Sequence, residues 1–166
     1  MEKGKVQVAT YGNGKIIKNM LTFEKFKFYK LNNKKVSYAA VVLDSESHNL
    51  LLSTFVYPNP EFSDWIKIAH HLTICLRELP EHLKKYWLDE EVSLTVTHLG
   101  VSDKAIAVKV TGFYTLVDSK DAVLKFPHIT LAINPFDAKP LDSNLITDWQ
   151  PVQHLKLNGV VKEIEF

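Results

Sequence analysis

The chain has 166 residues, of which 46% are hydrophobic and 23% charged, and its formal net charge at pH 7 is +1. This composition is typical of a globular domain that is long enough to bury a core without a disulfide or a structural metal. The lone Cys75 excludes a disulfide framework within the chain and a cysteine-ligated zinc cage, and no apolar run approaches the ~20 residues of a membrane span, so we expect a cytoplasmic protein with no membrane partner.

Charge is distributed unevenly along the chain. Residues 1–35 carry nine lysines against Glu2 and Glu24, a net charge of +7, whereas residues 36–166 carry 11 basic and 17 acidic residues, a net charge of −6. Such a basic segment indicates either a surface that faces phosphate or nucleic acid, or a solvated lysine-rich sheet edge. We therefore expect a basic, strand-rich segment 1–35 that packs on a main domain 36–166.

The first elements of the chain are predicted to be short strands. Residues 6–11 and 15–21 flank a Gly-Asn-Gly sequence and predict a hairpin. Three phenylalanines and a tyrosine between residues 23 and 29 indicate a further strand, which a turn at residues 32–33 follows.

The middle of the chain predicts strands and helices in alternation. Residues 36–43 are a continuous apolar run typical of a buried strand, and the polar residues after them can cap a helix over residues 46–55. After two prolines, residues 65–76 predict one long strand, and residues 81–87 predict a short helix.

Five further strands are expected in the second half, at residues 92–99, 105–111, 126–133, 155–157 and 160–166. The last two flank Asn158 and Gly159, the strongest short-range hairpin signal in the sequence. Residues 134–150 are rich in proline and turn residues and predict an irregular stretch. Many strands with two or three short helices predict an α+β fold whose sheet is mostly antiparallel.

Two of the predicted strands share a His-x-Thr pattern. One contains His71 and Thr73, the other His128 and Thr130. Because side chains alternate along a strand, each pair faces one way, with the imidazole and the hydroxyl about 7 Å apart, and the apolar residues between them face the other way. Two such strands facing one cleft would bring two imidazoles and two hydroxyls around one small anion.

This set of side chains suits the cleavage of a phosphodiester. Imidazole titrates near neutral pH, so one histidine can act as general base while the other, protonated, acts as general acid. Threonine hydroxyls can donate hydrogen bonds to the non-bridging phosphate oxygens. No metal-binding motif is present, so we expect neither a metal nor a cofactor. The alternative interpretation is that both histidines are ordinary strand residues.

Three other side chains are candidates of lower specificity. The alternation rule places His70 on the face opposite to its neighbour, which favours burial over catalysis. His98 ends a strand beside a glycine and either packs in the turn or lines the cleft. Trp149 is either a core residue or a surface on which a nucleobase stacks.

The paired His-x-Thr strands resemble the 2H phosphoesterase superfamily, also called LigT-like. Its members act on 2′,3′-cyclic phosphates, 2′–5′ linkages and related cyclic nucleotide esters. The sequences VSLTVTHLGVSDKAIAVKV at 92–110, PHITL at 127–131 and KPLDSN at 139–144 are similar to the cyclic phosphodiesterase domain of plant-type tRNA ligases. The similarity covers about residues 36–166.

The resemblance implies a bilobal α+β fold: two pseudo-symmetric, mostly antiparallel β-sheets with short helices outside and the active groove between them. It implies that His71 and His128 are the acid/base pair and that Thr73 and Thr130 contact the substrate phosphate. Lys104, in the S-D-K turn, either lines the mouth of the groove or caps the hairpin.

The expected function is a metal-independent phosphodiesterase acting on a nucleotide or an RNA end. We expect a monomer with no obligate protein partner. Two other functions stay open at this point. One is the degradation of cyclic or 2′–5′ oligonucleotide immune messengers, and the other is a non-catalytic RNA-binding module that uses the basic segment.

Overall fold

The computed structural model describes residues 36–116 and 124–165, together with two short strands near the N-terminus, Ala9–Thr10 (β1) and Ile16–Ile17 (β2). These two strands pair antiparallel, as the predicted hairpin requires. The aromatic strand predicted at 23–29 and the turn at 32–33 lie outside the described residues. The packing of segment 1–35 on the main domain stays a prediction.

Seven further strands form one antiparallel sheet: Val36–Leu43 (β3), Ile66–Lys67 (β4), His71–Cys75 (β5), Glu91–Val101 (β6), Ala105–Thr111 (β7), His128–Ile133 (β8) and Trp149–Glu165 (β9). Their order is β4-β8-β5-β3-β9-β6-β7, and β8 also pairs with β7, so six strands close into a barrel-like ring. The mostly antiparallel α+β fold is therefore confirmed. Where we expected two separate sheets, hydrogen bonds join these strands into one.

Strand β8 is the element that joins the two halves of the sheet. On one side Ile129 lies opposite Leu72 of β5, and on the other it lies opposite Val108 of β7. The two His-x-Thr strands are consequently direct neighbours, rather than the centres of two separate sheets.

Two helices, Ser45–Phe55 (α1) and Glu81–Trp87 (α2), agree with the predicted ones. Helix α1 begins where the Asp44 side chain accepts a hydrogen bond of 2.8 Å from the Ser47 backbone N–H. Two 3-10 turns, Pro60–Phe62 and Pro140–Leu145, complete the described elements. In the part of the chain that the structure describes, every helix is too short or too polar to cross a bilayer.

The apolar sides of β5 and β8 lie in the main core. Leu72 and Ile74 from β5, and Ile129 and Leu131 from β8, are all fully buried there. Burying a side chain of this size stabilises a fold by roughly 1.5–3 kcal/mol relative to exposure. A shift of one residue in either strand would put a histidine or a threonine into the core, so the apolar pattern fixes the register and the outward face.

The hairpin predicted at Asn158 and Gly159 is wrong, because both residues lie inside the continuous strand β9. This strand pairs with β3 on one side and with β6 on the other. A Cβ atom at position 159 would lie 2.6 Å from the Val42 carbonyl oxygen, so the glycine is needed for close backbone approach and not for a turn. The Asn158 backbone N–H also donates to the Ser47 hydroxyl at 2.8 Å.

The single strand predicted over residues 65–76 is divided into β4 and β5. Ala69 separates them with a φ of 45°, in the left-handed region that alanine rarely occupies. Pairing with β8 continues through the break, since the Ala69 N–H donates to the Thr130 carbonyl at 3.0 Å. The irregular backbone changes the direction of the chain just before His70 and His71.

Candidate functional site

A cavity of about 70 Å³ lies between β5 and β8, on the face that points away from the core. His71 and Thr73 of β5 line it, together with His128 and Thr130 of β8. Its other lining residues are Ile68, Leu124, Pro140 and Leu141. The structure thus brings together the four side chains of the two His-x-Thr strands, while their chemical roles remain a proposal.

The backbone fixes the orientation of the His128 ring. Its Nδ1 lies 2.9 Å from the Phe126 carbonyl oxygen. A carbonyl can only accept, so Nδ1 carries a hydrogen and Nε2 is the nitrogen left to exchange a proton with a ligand. Burial lowers the pKa of His128, and the hydrogen bond to Phe126 opposes that shift because it stabilises the protonated ring.

His71 is held against the ring of Tyr38, with 5.0 Å between the ring centroids. Its Nδ1 lies 3.0 Å from Nδ1 of His70. Burial, with smaller contributions from repulsion by His70 and His128, lowers the pKa of His71 to about 4. The His71 imidazole is therefore neutral at pH 7 and able to accept a proton.

His70 does not point away from His71, which corrects the expectation from strand alternation. The centroids of the two rings lie 5.2 Å apart, in an edge-to-face arrangement. The physical reason is the left-handed backbone at Ala69, because the alternation rule holds only along a regular strand. Sequence periodicity contains no signal for such a break at an alanine.

A buried serine contacts the hydroxyl of Thr130. Oγ of Ser143, a fully buried residue, lies 2.8 Å from Thr130 Oγ1, which also lies 3.2 Å from the Pro140 carbonyl oxygen. The 3-10 turn Pro140–Leu145 thereby packs on the outward face of β8. The Lys125 backbone N–H donates a hydrogen bond of 3.1 Å to the side-chain Oδ1 of Asn144. This bond connects the turn to the residues that precede β8.

Neither the His-x-Thr pattern nor the resemblance assigns a role to Ser143, whose hydroxyl contacts that of Thr130. It lies inside the KPLDSN sequence at 139–144, which supported the family resemblance but gave no role to any of its residues. The signal was therefore present in the sequence. Which of those polar side chains faces Thr130 depends on the geometry of the 3-10 turn.

Lys104 and His98 are not among the residues that line the cavity. Lys104 is exposed in the turn between β6 and β7, where the Ser102 hydroxyl accepts a bond of 3.2 Å from its backbone N–H. His98 is half-buried in β6, with its Nδ1 3.0 Å from the Thr97 hydroxyl.

Trp149 also lies outside the cavity, but one aromatic ring connects it to the site. Its indole N–H donates to the Ile146 carbonyl at 3.0 Å, and its ring centroid is 5.3 Å from that of Phe126. Phe126 in turn lies 5.2 Å from the His128 ring. Lys109 Nζ lies over both neighbouring rings, 4.7 Å from the Trp149 centroid and 4.9 Å from that of Phe126.

The donor set of the cavity consists of imidazoles and hydroxyls. Within the described residues, no three His, Cys, Asp or Glu side chains converge as a metal site would. Each buried side-chain nitrogen or oxygen in that part of the chain has a hydrogen-bond partner.

Burial of His71 should make the protein less stable in mild acid. Its pKa is about 4 in the folded state and near 6.5 for an ordinary histidine, so the unfolded chain takes up the proton first. This contribution to stability is present above pH 6.5 and is lost as the pH falls towards 4. Between pH 7 and pH 5 we expect the free energy of unfolding to fall by about 2 kcal/mol.

Urea denaturation at the two pH values measures this loss. The matched control is His71→Asn, which removes the titrating group and should reduce the difference between pH 7 and pH 5 by about that amount. An equal loss in the variant and in the wild type would show that another group causes the acid sensitivity.

Comparison with known proteins gives no family for this chain. No protein-family model and no curated protein matches it. Among solved structures, one match is entitled "Crystal Structure of Fungal RNA Kinase", with 14% sequence identity and a TM-score of 0.48. The match covers 86% of this chain and 45% of that one, so this chain spans less than half of that protein's length. A structural similarity this distant does not show that the two proteins share an activity.

Proposed function

We propose that this protein is a metal-independent phosphodiesterase that hydrolyses cyclic or 2′-linked phosphodiesters of RNA ends or small nucleotides. The observation that carries the proposal is the convergence of two imidazoles and two hydroxyls on one cavity of about 70 Å³. A cavity of this volume has space for one phosphoryl group. The nucleoside would lie outside, against the rim of the cavity.

His71 has the properties of the general base. Its pKa of about 4 keeps the ring unprotonated at neutral pH, so it can accept the proton of the attacking water molecule. Its Nδ1 is occupied by His70, which leaves Nε2 for this task.

His128 is better suited to be the general acid. Burial lowers the pKa of His128, but the hydrogen bond to the Phe126 carbonyl opposes this shift, and the approach of an anionic phosphate would oppose it further, because both stabilise the protonated ring. The water oxygen forms a bond to phosphorus while the bond from phosphorus to the leaving ribose oxygen breaks. His71 takes the proton from the water, and His128 gives its proton to the ribose oxygen. Exchange with solvent then restores both rings.

The hydroxyls of Thr73 and Thr130 would stabilise the charge that develops on the non-bridging oxygens. Each lies two residues after a histidine on the same strand face, so one phosphate can contact an imidazole and a hydroxyl of each strand. The Thr130 hydroxyl donates to the Pro140 carbonyl at 3.2 Å in the structure, so its hydrogen would turn to the phosphate when the substrate binds.

A panel of substrates in the presence of EDTA tests the proposal. It contains 2′,3′-cyclic nucleotides, RNA with a cyclic-phosphate end, 2′–5′ oligoadenylate and cyclic dinucleotides, and the double variant His71→Ala/His128→Ala serves as control. We expect the wild type to cleave at least one class and the control none. Activity that disappears in EDTA and returns with a divalent ion would overturn the metal-independent mechanism. RNA binding with a steep salt dependence but no cleavage would instead favour the RNA-binding module.

A further inference from the structure

The contact between His70 and His71 places two titratable rings in one hydrogen bond. Their Nδ1 atoms are 3.0 Å apart, and His70 is exposed to solvent. A hydrogen bond between two imidazole nitrogens needs one that carries a hydrogen and one that does not. The tautomer of one ring therefore determines the tautomer of the other.

Backbone bonds on both sides fix the position of His70. The His70 carbonyl accepts from the Leu43 N–H of β3 at 2.9 Å. The preceding Ala69 donates its N–H to Thr130 of β8 at 3.0 Å, and its carbonyl accepts from His48 Nδ1 of α1 at 3.0 Å. The backbone at His70 is thus held by β3, β8 and α1, which fixes the point from which its side chain reaches His71.

We infer that His70 is a positioning residue that sets the tautomer of His71, with the bare Nδ1 of neutral His70 accepting the hydrogen on His71 Nδ1. In that arrangement His71 Nε2 carries no hydrogen and presents its lone pair to the cavity. A carboxylate orients the imidazole in the same way in serine hydrolases, whereas here the orienting group is itself an imidazole. The consequence for catalysis rests on the function proposed above, but the assignment of the tautomer does not.

Protonation of His70 would reverse this arrangement. A protonated His70 carries a hydrogen on both nitrogens and can no longer accept, so His71 must accept at Nδ1 and move its own hydrogen to Nε2. His71 would then have no lone pair facing the substrate. Other titratable groups near this pair are Tyr38 from β3, His48 from α1 and His128 from β8.

The first test is nitrogen-15 NMR of the full chain, which reads the tautomer of each histidine directly. At pH 8 we expect His71 to carry its hydrogen on Nδ1 in the wild type and to lose this preference in His70→Ala. A wild-type His71 with its hydrogen on Nε2 at pH 8 would overturn the inference. This outcome does not depend on whether any substrate has been found.

The second test is the pH dependence of kcat/KM. His70→Asn retains an accepting oxygen near the position of Nδ1 but cannot titrate, so we expect it to remain active and its acid limb to move to lower pH. His70→Ala should lower kcat about tenfold or more at neutral pH with little change in KM. The exposed His154 provides the matched control, His154→Asn, which should change neither quantity.

Two results would separate the two proposals. An active wild type whose rate and pH profile are unchanged in all His70 variants would overturn the role of His70 and leave the phosphodiesterase intact. A chain with the expected tautomer that cleaves no phosphodiester would overturn the activity alone.

Discussion

Replacing either His71 or His128 by alanine should lower kcat/KM for the cleaved phosphodiester at least ~100-fold. Each variant removes one of the two proton transfers, so the water stays a poor nucleophile or the ribose oxygen stays a poor leaving group. Among the described residues that line the cavity, His71 and His128 are the only imidazoles, so no other lining group can take over either proton transfer. Steady-state kinetics on the substrate that the panel identifies measures the effect.

The two substitutions should not be additive. Both histidines act in the same transition state, so the double variant should be little slower than the slower single variant. His154→Ala is the matched control, because it removes an exposed imidazole of β9 that does not line the cavity. If either single variant retained more than about a tenth of the wild-type rate while folded, the assignment of the acid/base pair would be wrong.

Most of the site could be predicted because side chains alternate between the two faces of each short strand. Leu72 and Ile129, each between a histidine and a threonine, are fully buried and lie opposite each other. Burial of these two residues forces the polar side chains on either side of them to the outward face. Sequence alone could therefore place His71 and His128 on one face of their strands. The resemblance placed the two His-x-Thr strands around one groove between two sheets. That these strands pair directly within one sheet followed neither from the resemblance nor from the alternation.

What the sequence could not predict depends on backbone contacts between distant segments. Gly159 has the local signature of a turn, yet two neighbouring strands make it part of a long strand. Ala69 has no propensity for left-handed backbone, but bonds to β8 and α1 hold it there and bring His70 to His71. In each case tertiary contacts override the local preference of the residue. No sequence motif at those positions encodes these contacts.

The group that accepts the hydroxyl hydrogen of Thr130 should have the second large effect on kcat. Thr130 can donate its single hydrogen to Pro140, to Ser143 or to a substrate phosphate. When Ser143 donates to Thr130 Oγ1, the Thr130 hydrogen, which points to the Pro140 carbonyl in the structure, can turn to the phosphate once the substrate binds. Thr130→Val removes this donor with little change in shape, and we expect kcat to fall ~10²–10³-fold with a smaller change in KM. The exposed Thr111 of β7 provides the control, Thr111→Val.

A double-mutant cycle shows whether Ser143 orients the Thr130 hydroxyl or only supports the fold. Ser143→Ala alone should lower kcat, because the Ser143 hydroxyl then no longer holds Thr130 Oγ1 in the position from which its hydrogen can reach the phosphate. In the Thr130→Val background the same change should have almost no further effect on kcat, since no hydrogen remains to be oriented. Equal effects of Ser143→Ala in both backgrounds would mean that Ser143 only holds the 3-10 turn in place. A rate in Thr130→Val above half of the wild-type rate, beside an inactive His128→Ala, would remove Thr130 from the phosphate site.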